Sequence, residues 1–194
     1  MSAIELFARL HSAILGLERA RHGLVGTDLY DDPDYVAPVS IGTIRGGEWH
    51  STVAELVVAE GRFGVFPGES VAAARAALEE CVRGAAIEDV WLSEHPPRVE
   101  WFEGQFESGE TPSDHPLVQG LAQAHRAVLR GDPRVRGVPY GSDLRLFTNH
   151  AGMPAVLYGP GDVRVAHAAN ERIQVDEIVD AVAVLATFIS SWSA

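Results

Sequence analysis

The spacing of apolar residues changes from helical to alternating and back within the first half of the chain, and this change constrains the fold most. Residues 2–18 place apolar side chains three and four residues apart, which predicts a helix with one buried face. Alternation over 38–47 and 51–65 predicts two strands. A helix over 71–82 and a third strand over 96–104 follow. This order lacks only a leading strand to make a ferredoxin-like βαββαβ unit.

A different pattern begins near residue 108, where we expect a second domain. Residues 111–131 predict a helix that begins after Asp114 and ends at Gly131, because Asp is a common N-cap and glycine a common residue just past a helix. Residues 174–192 predict the last helix. The residues predicted to face inward on it are Ile178, Val182, Leu185, Ile189 and Trp192.

Two short apolar runs separate these helices, and both contain glycines. The runs "RVRGVPYG" (134–141) and "PAVLYGPG" (154–161) are typical of buried strands in an α/β sheet. We therefore predict an α/β fold, of the α+β kind in its first part. The predicted domains are residues 1–107 and 108–194.

The chain is acidic and contains a single cysteine. Its formal charge is −12, from 15 basic and 27 acidic residues. Nucleic acids and anionic membrane surfaces both attract clustered Lys and Arg, so we expect neither as a partner. The longest apolar run, 181–189, is far shorter than the ~18 residues of a membrane-spanning helix. Cys81 cannot form an intrachain disulfide, which fits a cytoplasmic protein.

His167 is the strongest candidate for a metal ligand. It follows a short predicted strand and precedes Asn170 and Glu171, which could open a helix. A histidine at the end of a strand, facing a crevice, is well placed to bind a metal. The alternative is a hydrogen-bonded histidine without a ligand role. The sequence contains no HxH, HExxH or CxxC pattern, so it holds no self-contained metal motif.

A second group of candidates lies in "YGSDLRLF", residues 140–147. Gly141 would let the backbone approach a ligand, and Ser142 could cap a helix. Asp143 and Arg145 could contact a substrate or each other. Arg62, in the second predicted strand, could bind a substrate carboxylate through two parallel hydrogen bonds. For all of these residues the alternative is a structural role: a cap, a surface ion pair or an exposed strand arginine.

Taken together, these segments resemble the M20 metallopeptidase family. The family pattern is G-(S/T)-D-x-R, then an apolar strand that ends in G-P-G, then H-x-x-(N/D)-E before a last helix. All three elements occur here in order, at 141–145, 159–161 and 167–171. Upstream, residues 40–70 look like the middle of that family's lid domain, with paired glycines and a strand that ends in an arginine.

The resemblance implies a lid, or dimerisation, domain without its first strand over 1–107. It implies the C-terminal part of an α/β zinc-hydrolase domain over 108–194. M20 enzymes bind two metal ions, zinc or cobalt, mostly through an HxD motif, a bridging aspartate and a Glu-Glu pair from their N-terminal half. This sequence contains only the last ligand of that set, His167. We therefore expect this chain to hold no metal tightly.

The resemblance also implies a reaction, the hydrolysis of N-acyl amino acids, as in the acetylornithine deacetylase and succinyl-diaminopimelate desuccinylase branch. Arg62 and Arg145 would then bind the substrate carboxylate, and the backbone at Gly141 and Ser142 would contact the substrate. We expect no catalytic residue in this chain, and we expect the chain alone to be inactive.

Three further residues are implied to support the site rather than touch the substrate: Asp143, Asn170 and Glu171. The resemblance also implies a homodimer through the lid domain. An alternative of a different class is a non-catalytic dimerisation or binding module derived from an M20 enzyme, because a lid without its first strand exposes a strand edge that can pair with another chain.

Overall fold

The computed structural model describes residues 1–23, 29–102 and 104–192. Its regular elements are helices α1 to α5 and two strands, β1 and β2, with short turns of 3₁₀ or π type between some of them. In chain order they are α1 (Ala3–His22), β1 (Val39–Gly46), β2 (Val57–Phe63), α2 (Val71–Ile87), α3 (Val90–Glu94), α4 (Pro116–Leu129) and α5 (Val175–Ser191). This mixture of helices and a small antiparallel sheet is the predicted α/β class.

The chain divides into two compact units. The first contains Met1–Ser108 and Arg136–Ser142, and the second contains Gly109–Val135 and Asp143–Ala194. The main division thus lies beside the predicted domain boundary, but residues 136–142, expected in the second domain, belong to the first unit. The identity of the units as a lid and a catalytic segment stays a prediction.

In the first unit, α1 packs against α2 and α3. Leu6 and Leu10 of α1 form a core cluster with Ala86 and Leu92. The predicted helix is confirmed, and it extends to His22, beyond the predicted end. The helix that begins at Val71 is also confirmed, and its N-cap Ser70 accepts a hydrogen bond from the Ala73 N–H.

Strands β1 and β2 form an antiparallel pair, which confirms the first two predicted strands. The register runs from Val39 opposite Phe63 to Gly46 opposite Val57, with an irregularity between Ile41 and Thr43. Arg62 lies on β2 opposite Ser40.

The third predicted strand, 96–104, is wrong for its described residues, and so are the two predicted over 134–141 and 154–161. None of these residues pairs with a strand. An apolar run predicts burial, but a strand also needs a neighbour for its N–H and C=O groups. The backbone of Ala155 is paired instead with a side chain, because its N–H and C=O both bond the Thr111 hydroxyl, at 3.0 and 2.7 Å.

In the second unit, α4 packs against α5 around Leu121, Ala124 and Val184. A Cβ added at Gly120 would lie 3.2 Å from the ring of Phe188, so this glycine allows the two helices to approach closely. The residues predicted to begin and end α4 are corrected at both ends. The N-cap is His115, whose Nδ1 accepts from the Leu117 N–H, and not Asp114. The left-handed residue at the C-terminus is Arg130, ahead of the predicted Gly131.

The predicted inward face of α5 is wrong. Ala181 and Val184 are the buried residues, and Val184 is completely buried. The five residues predicted to face inward are exposed instead: Ile178, Val182, Leu185, Ile189 and Trp192. The helix carries apolar residues around most of its circumference, so periodicity alone does not determine which stripe meets α4. Among the described residues, no helix is long and apolar enough to cross a bilayer.

Candidate functional site

His167 lies in a tight loop that is held by its own backbone and by one carboxylate. The short strand predicted before His167 is wrong, because a 3₁₀ turn over Val163–Val165 leads into the loop instead. The Glu171 carboxylate accepts a hydrogen bond from the His167 N–H at 3.0 Å, and the Glu171 N–H donates to the Ala168 carbonyl. His167 and Glu171 of the H-x-x-N-E motif are therefore hydrogen-bonded to each other. His167 is exposed, and its role as a metal ligand stays a prediction.

Two residues of this loop adopt left-handed backbone conformations. His167 has φ 61° and Asn170 has φ 64°. Such angles are uncommon outside glycine, although Asn and His adopt them more readily than most residues. Asn170 and Glu171 therefore shape the loop that presents His167. They do not open a helix here, because the next helix, α5, begins at Val175.

The Gly-Pro-Gly turn before this loop is anchored to α5. Gly161 has φ 96°, a conformation that side chains strongly disfavour, and its N–H donates to the Glu177 carboxylate at 3.0 Å. A Cβ at Gly161 would also lie 3.5 Å from Ile173. The G-P-G element thus fixes the start of the His167 loop on the first turn of a helix.

The G-S-D-x-R element is divided between the two units. Gly141 and Ser142 belong to the first unit, and Asp143 and Arg145 to the second. A Cβ at Gly141 would lie 3.2 Å from the ring of Phe106, so a side chain here would need this ring to shift by a few tenths of an ångström. The contact of Gly141 or Ser142 with a substrate stays a prediction.

Asp143 and Arg145 lie where a short helical turn begins. The Leu146 N–H donates to the Asp143 carbonyl at 2.9 Å, and a π-helical turn follows over Leu146–His150. Gly109 packs against this turn, since a Cβ there would lie 2.7 Å from the Arg145 Cα. Gly109 had no predicted role, and a lone glycine in a polar linker gives no signal of such a contact. Arg62 is exposed, and within the described residues it makes no ion pair.

The described residues do not fit a complete metal centre. In residues 1–23, 29–102 and 104–192, no three His, Cys, Asp or Glu side chains come together as a metal ion requires. A catalytic zinc ion normally takes about three protein ligands, and His167 offers one. We therefore assign no reaction step to a metal held by these residues alone.

The second unit contains a polar pair that we did not predict from the sequence. His125 Nδ1 lies 3.0 Å from the hydroxyl of Tyr158. Partial burial, and then the nearby charge of Asp180, raise the pKa of Tyr158 above its ordinary value. A signal existed, because His125 lies four residues after Leu121 on the apolar face of α4, where a histidine usually needs a hydrogen-bond partner.

The first unit contains a buried ion pair. Arg21, which is 8% exposed, donates to the Glu69 carboxylate at 2.6 Å and to the Gly64 carbonyl at 3.1 Å. Its guanidinium lies over the rings of Phe63 and Phe66, with centroids 4.3 and 4.9 Å away.

The neighbouring His22 is also buried and bonds the backbone on both sides. Its Nε2 accepts from the Ala37 N–H at 3.2 Å, so its Nδ1–H donates to the Glu18 carbonyl at 2.8 Å. These contacts identify Arg21 and His22 as structural residues.

Comparison with known proteins gives one consistent result. The model of "Peptidase family M20/M25/M40" matches residues 16–191. N-formyl-4-amino-5-aminomethyl-2-methylpyrimidine deformylase of Bacillus subtilis is 27% identical over 98% of this chain and 46% of its own length. Acetylornithine deacetylase of Myxococcus xanthus is 30% identical over 91% of this chain and 44% of its own.

A solved structure agrees with these matches in fold. The M20 family metallo-carboxypeptidase Sso-CP2 of Sulfolobus solfataricus superposes with a TM-score of 0.60 at 18% identity. The match covers 89% of this chain and 41% of that one. The chain spans about half the length of the curated relatives that it matches.

Proposed function

Because the chain belongs to peptidase family M20/M25/M40, we propose that it forms one part of a metal-dependent amidohydrolase that deacylates N-acyl amino acids or related small amines. The observation that supports this most directly is the exposed imidazole of His167, presented by a loop that the Glu171 carboxylate closes. Two relatives, a deformylase and an acetylornithine deacetylase, are named for removing a formyl and an acetyl group. More specifically, we propose a substrate of the N-acetylornithine type.

Within this proposal, the residues of this chain bind and position groups. His167 supplies one ligand to a zinc or cobalt site, and Glu171 keeps its loop in shape through the His167 N–H. Arg62, which is exposed, and Arg145 would bind a substrate carboxylate, since arginine binds carboxylates at two points. The remaining metal ligands would come from a polypeptide equivalent to the part of the relatives that this chain does not match. A cytoplasmic location, which fits the single cysteine Cys81, belongs to the same proposal.

The test compares the chain alone with the chain plus that polypeptide. We expect no hydrolysis of N-acetylornithine or of an N-formyl amine by the chain alone, with or without added zinc or cobalt. With the polypeptide supplied, we expect hydrolysis that falls at least about 100-fold in His167→Ala, because the loss of a residue that only supports a metal ligand already costs about 10- to 100-fold. His95→Ala, which removes an exposed histidine stacked on Trp91, should leave the rate unchanged.

Metal binding gives a second readout. Equilibrium dialysis should show weak zinc binding by the chain alone, and weaker binding in His167→Ala, because one imidazole cannot hold zinc tightly. Hydrolysis that copurifies with the chain alone and disappears in His167→Ala would show that the chain's own site is sufficient. If the chain with the added polypeptide hydrolyses its substrate at the same rate with and without His167→Ala, the proposed role of His167 is refuted.

A non-catalytic dimerisation role through the first unit is the second candidate. The observation that favours it is exposed apolar surface on the strand pair and on α1, at Ile44, Val58 and Ile4. We expect light scattering to give a dimer mass for the chain and a smaller mass for Ile44→Lys. A sharp monomer mass at high protein concentration would refute this candidate.

A further inference from the structure

Helix α5 carries two separate apolar stripes. One stripe, formed by Ala181, Val184 and Phe188, packs against α4. The other recurs at three- and four-residue spacing along the whole helix and is exposed. Its members are Val175, Ile178, Val182, Leu185 and Ile189, with exposed fractions between 37% and 72%. A contiguous apolar stripe of this length on a folded surface marks a site of protein contact.

The charges of α5 lie near its N-terminus, away from the middle of the exposed stripe. They are Asp176, Glu177 and Asp180, and the helix contains no Lys or Arg. A surface helix normally places charged residues opposite a single apolar stripe, whereas a helix that is apolar around most of its circumference belongs inside a domain. The stripe therefore has the composition of a domain interior, and its partner should be another apolar layer.

The relatives indicate which polypeptide supplies that layer. The Bacillus subtilis deformylase matches nearly all of this chain with only 46% of its own length, and Sso-CP2 with 41% of its own. Each relative therefore has about as much chain again outside the match. We propose that the exposed α5 stripe packs against a polypeptide equivalent to that unmatched part. The proposal rests on the proposed function only in requiring the same polypeptide.

A second copy of this chain is the competing occupant. Because an α-helix turns by about 100° per residue, Asp176 and Asp180 lie on the side of α5 away from the exposed stripe, and their charge does not prevent two stripes from pairing. The experiment therefore includes a homodimer among its outcomes.

The experiment co-expresses the full chain with the unmatched part of the Bacillus subtilis deformylase as a separate polypeptide. The stripe variant is Val182→Glu. The matched control is Thr187→Glu, which adds the same charge on the polar side of α5, where the Thr187 hydroxyl bonds the Ala183 carbonyl. Circular dichroism confirms folding, light scattering gives the mass of the complex, and calorimetry gives Kd.

We expect a one-to-one complex with the wild type and with Thr187→Glu, and binding at least tenfold weaker with the stripe variant. The proposal is overturned by no complex with the wild type or by equal Kd values for the stripe variant and the control. It is also overturned by a homodimer that the stripe variant alone converts to a monomer, because a second copy would then cover the stripe. A complex that forms but hydrolyses nothing counts against the proposed function and leaves the docking surface standing.

Discussion

Helices α1 and α5 each pack one face against a neighbouring helix, but α1 ends in buried polar side chains and α5 buries apolar ones. Arg21 and His22 find an ion pair, backbone bonds and aromatic rings from segments up to 48 residues away. Val184 on α5 is completely buried, yet Val182, two residues earlier, is 62% exposed. The polar end of α1 has partners for its charge within its own unit, whereas α5 has more apolar surface than its own unit covers.

The largest effect should follow a charge placed at the centre of the α4–α5 contact. Val184→Asp would bury an unpaired carboxylate, and we expect the free energy of unfolding of the second unit to fall by about 4 kcal/mol. The matched change Val182→Asp should cost no more than about 0.5 kcal/mol, because this side chain is exposed. Urea unfolding, with hydrogen exchange to separate the units, measures both. Similar losses for the two variants would mean that both stripes of α5 are buried in solution.

The next effect should come from the buried ion pair of the first unit. Arg21→Met leaves the Glu69 carboxylate with the Phe66 N–H as its remaining described partner, and we expect a loss of roughly 3 kcal/mol. Arg9 forms a pair with Asp89 at the same distance, 2.6 Å, but the Arg9 side chain is 68% exposed. Arg9→Met should therefore cost less than about 1 kcal/mol. Equal losses would show that burial does not distinguish the two pairs.

The smallest effect concerns the titration of Tyr158. Burial and Asp180 raise the pKa of this phenol, so its neutral form is the one that the folded state favours. The corresponding stability is present below the unfolded pKa and is lost as pH rises through the higher folded pKa. The absorbance of tyrosinate, taken as the difference between wild type and Tyr158→Phe, should titrate above an ordinary tyrosine. Asp180→Asn should lower that pKa in part, and no change would assign the whole shift to burial.

The fold was predictable where the pattern is local. The helices at Ala3 and Val71 and the strand pair follow from the spacing of apolar residues within each segment, and all are found. Which face of α5 is buried was not predictable, because apolar residues lie on more than one side of this helix. The strand over 96–104 also depended on a neighbour, which the sequence pattern around it does not specify.

The candidate site was predictable as a motif but not as a geometry. The H-x-x-N-E spacing marks the segment in which Glu171 bonds the His167 N–H, and the roles of these residues in a site stay predictions. The pairing of His125 with Tyr158 joins residues 33 apart, and the contact of Gly109 with Arg145 joins residues that are farther apart still. Such contacts depend on tertiary packing, and single residues in a sequence carry little signal for them.

The left-handed backbone at His167 and Asn170 has a consequence for any ligand that the imidazole receives. Each such residue raises the energy of the folded loop by roughly 1 kcal/mol, and the rest of the unit already sustains this strain. A ligand therefore meets a loop whose backbone is preorganised, so binding need not oppose the entropy of ordering these residues. Asn170→Gly would relieve the strain in the folded loop. It would also increase the conformational entropy of the unfolded chain, and this increase opposes folding.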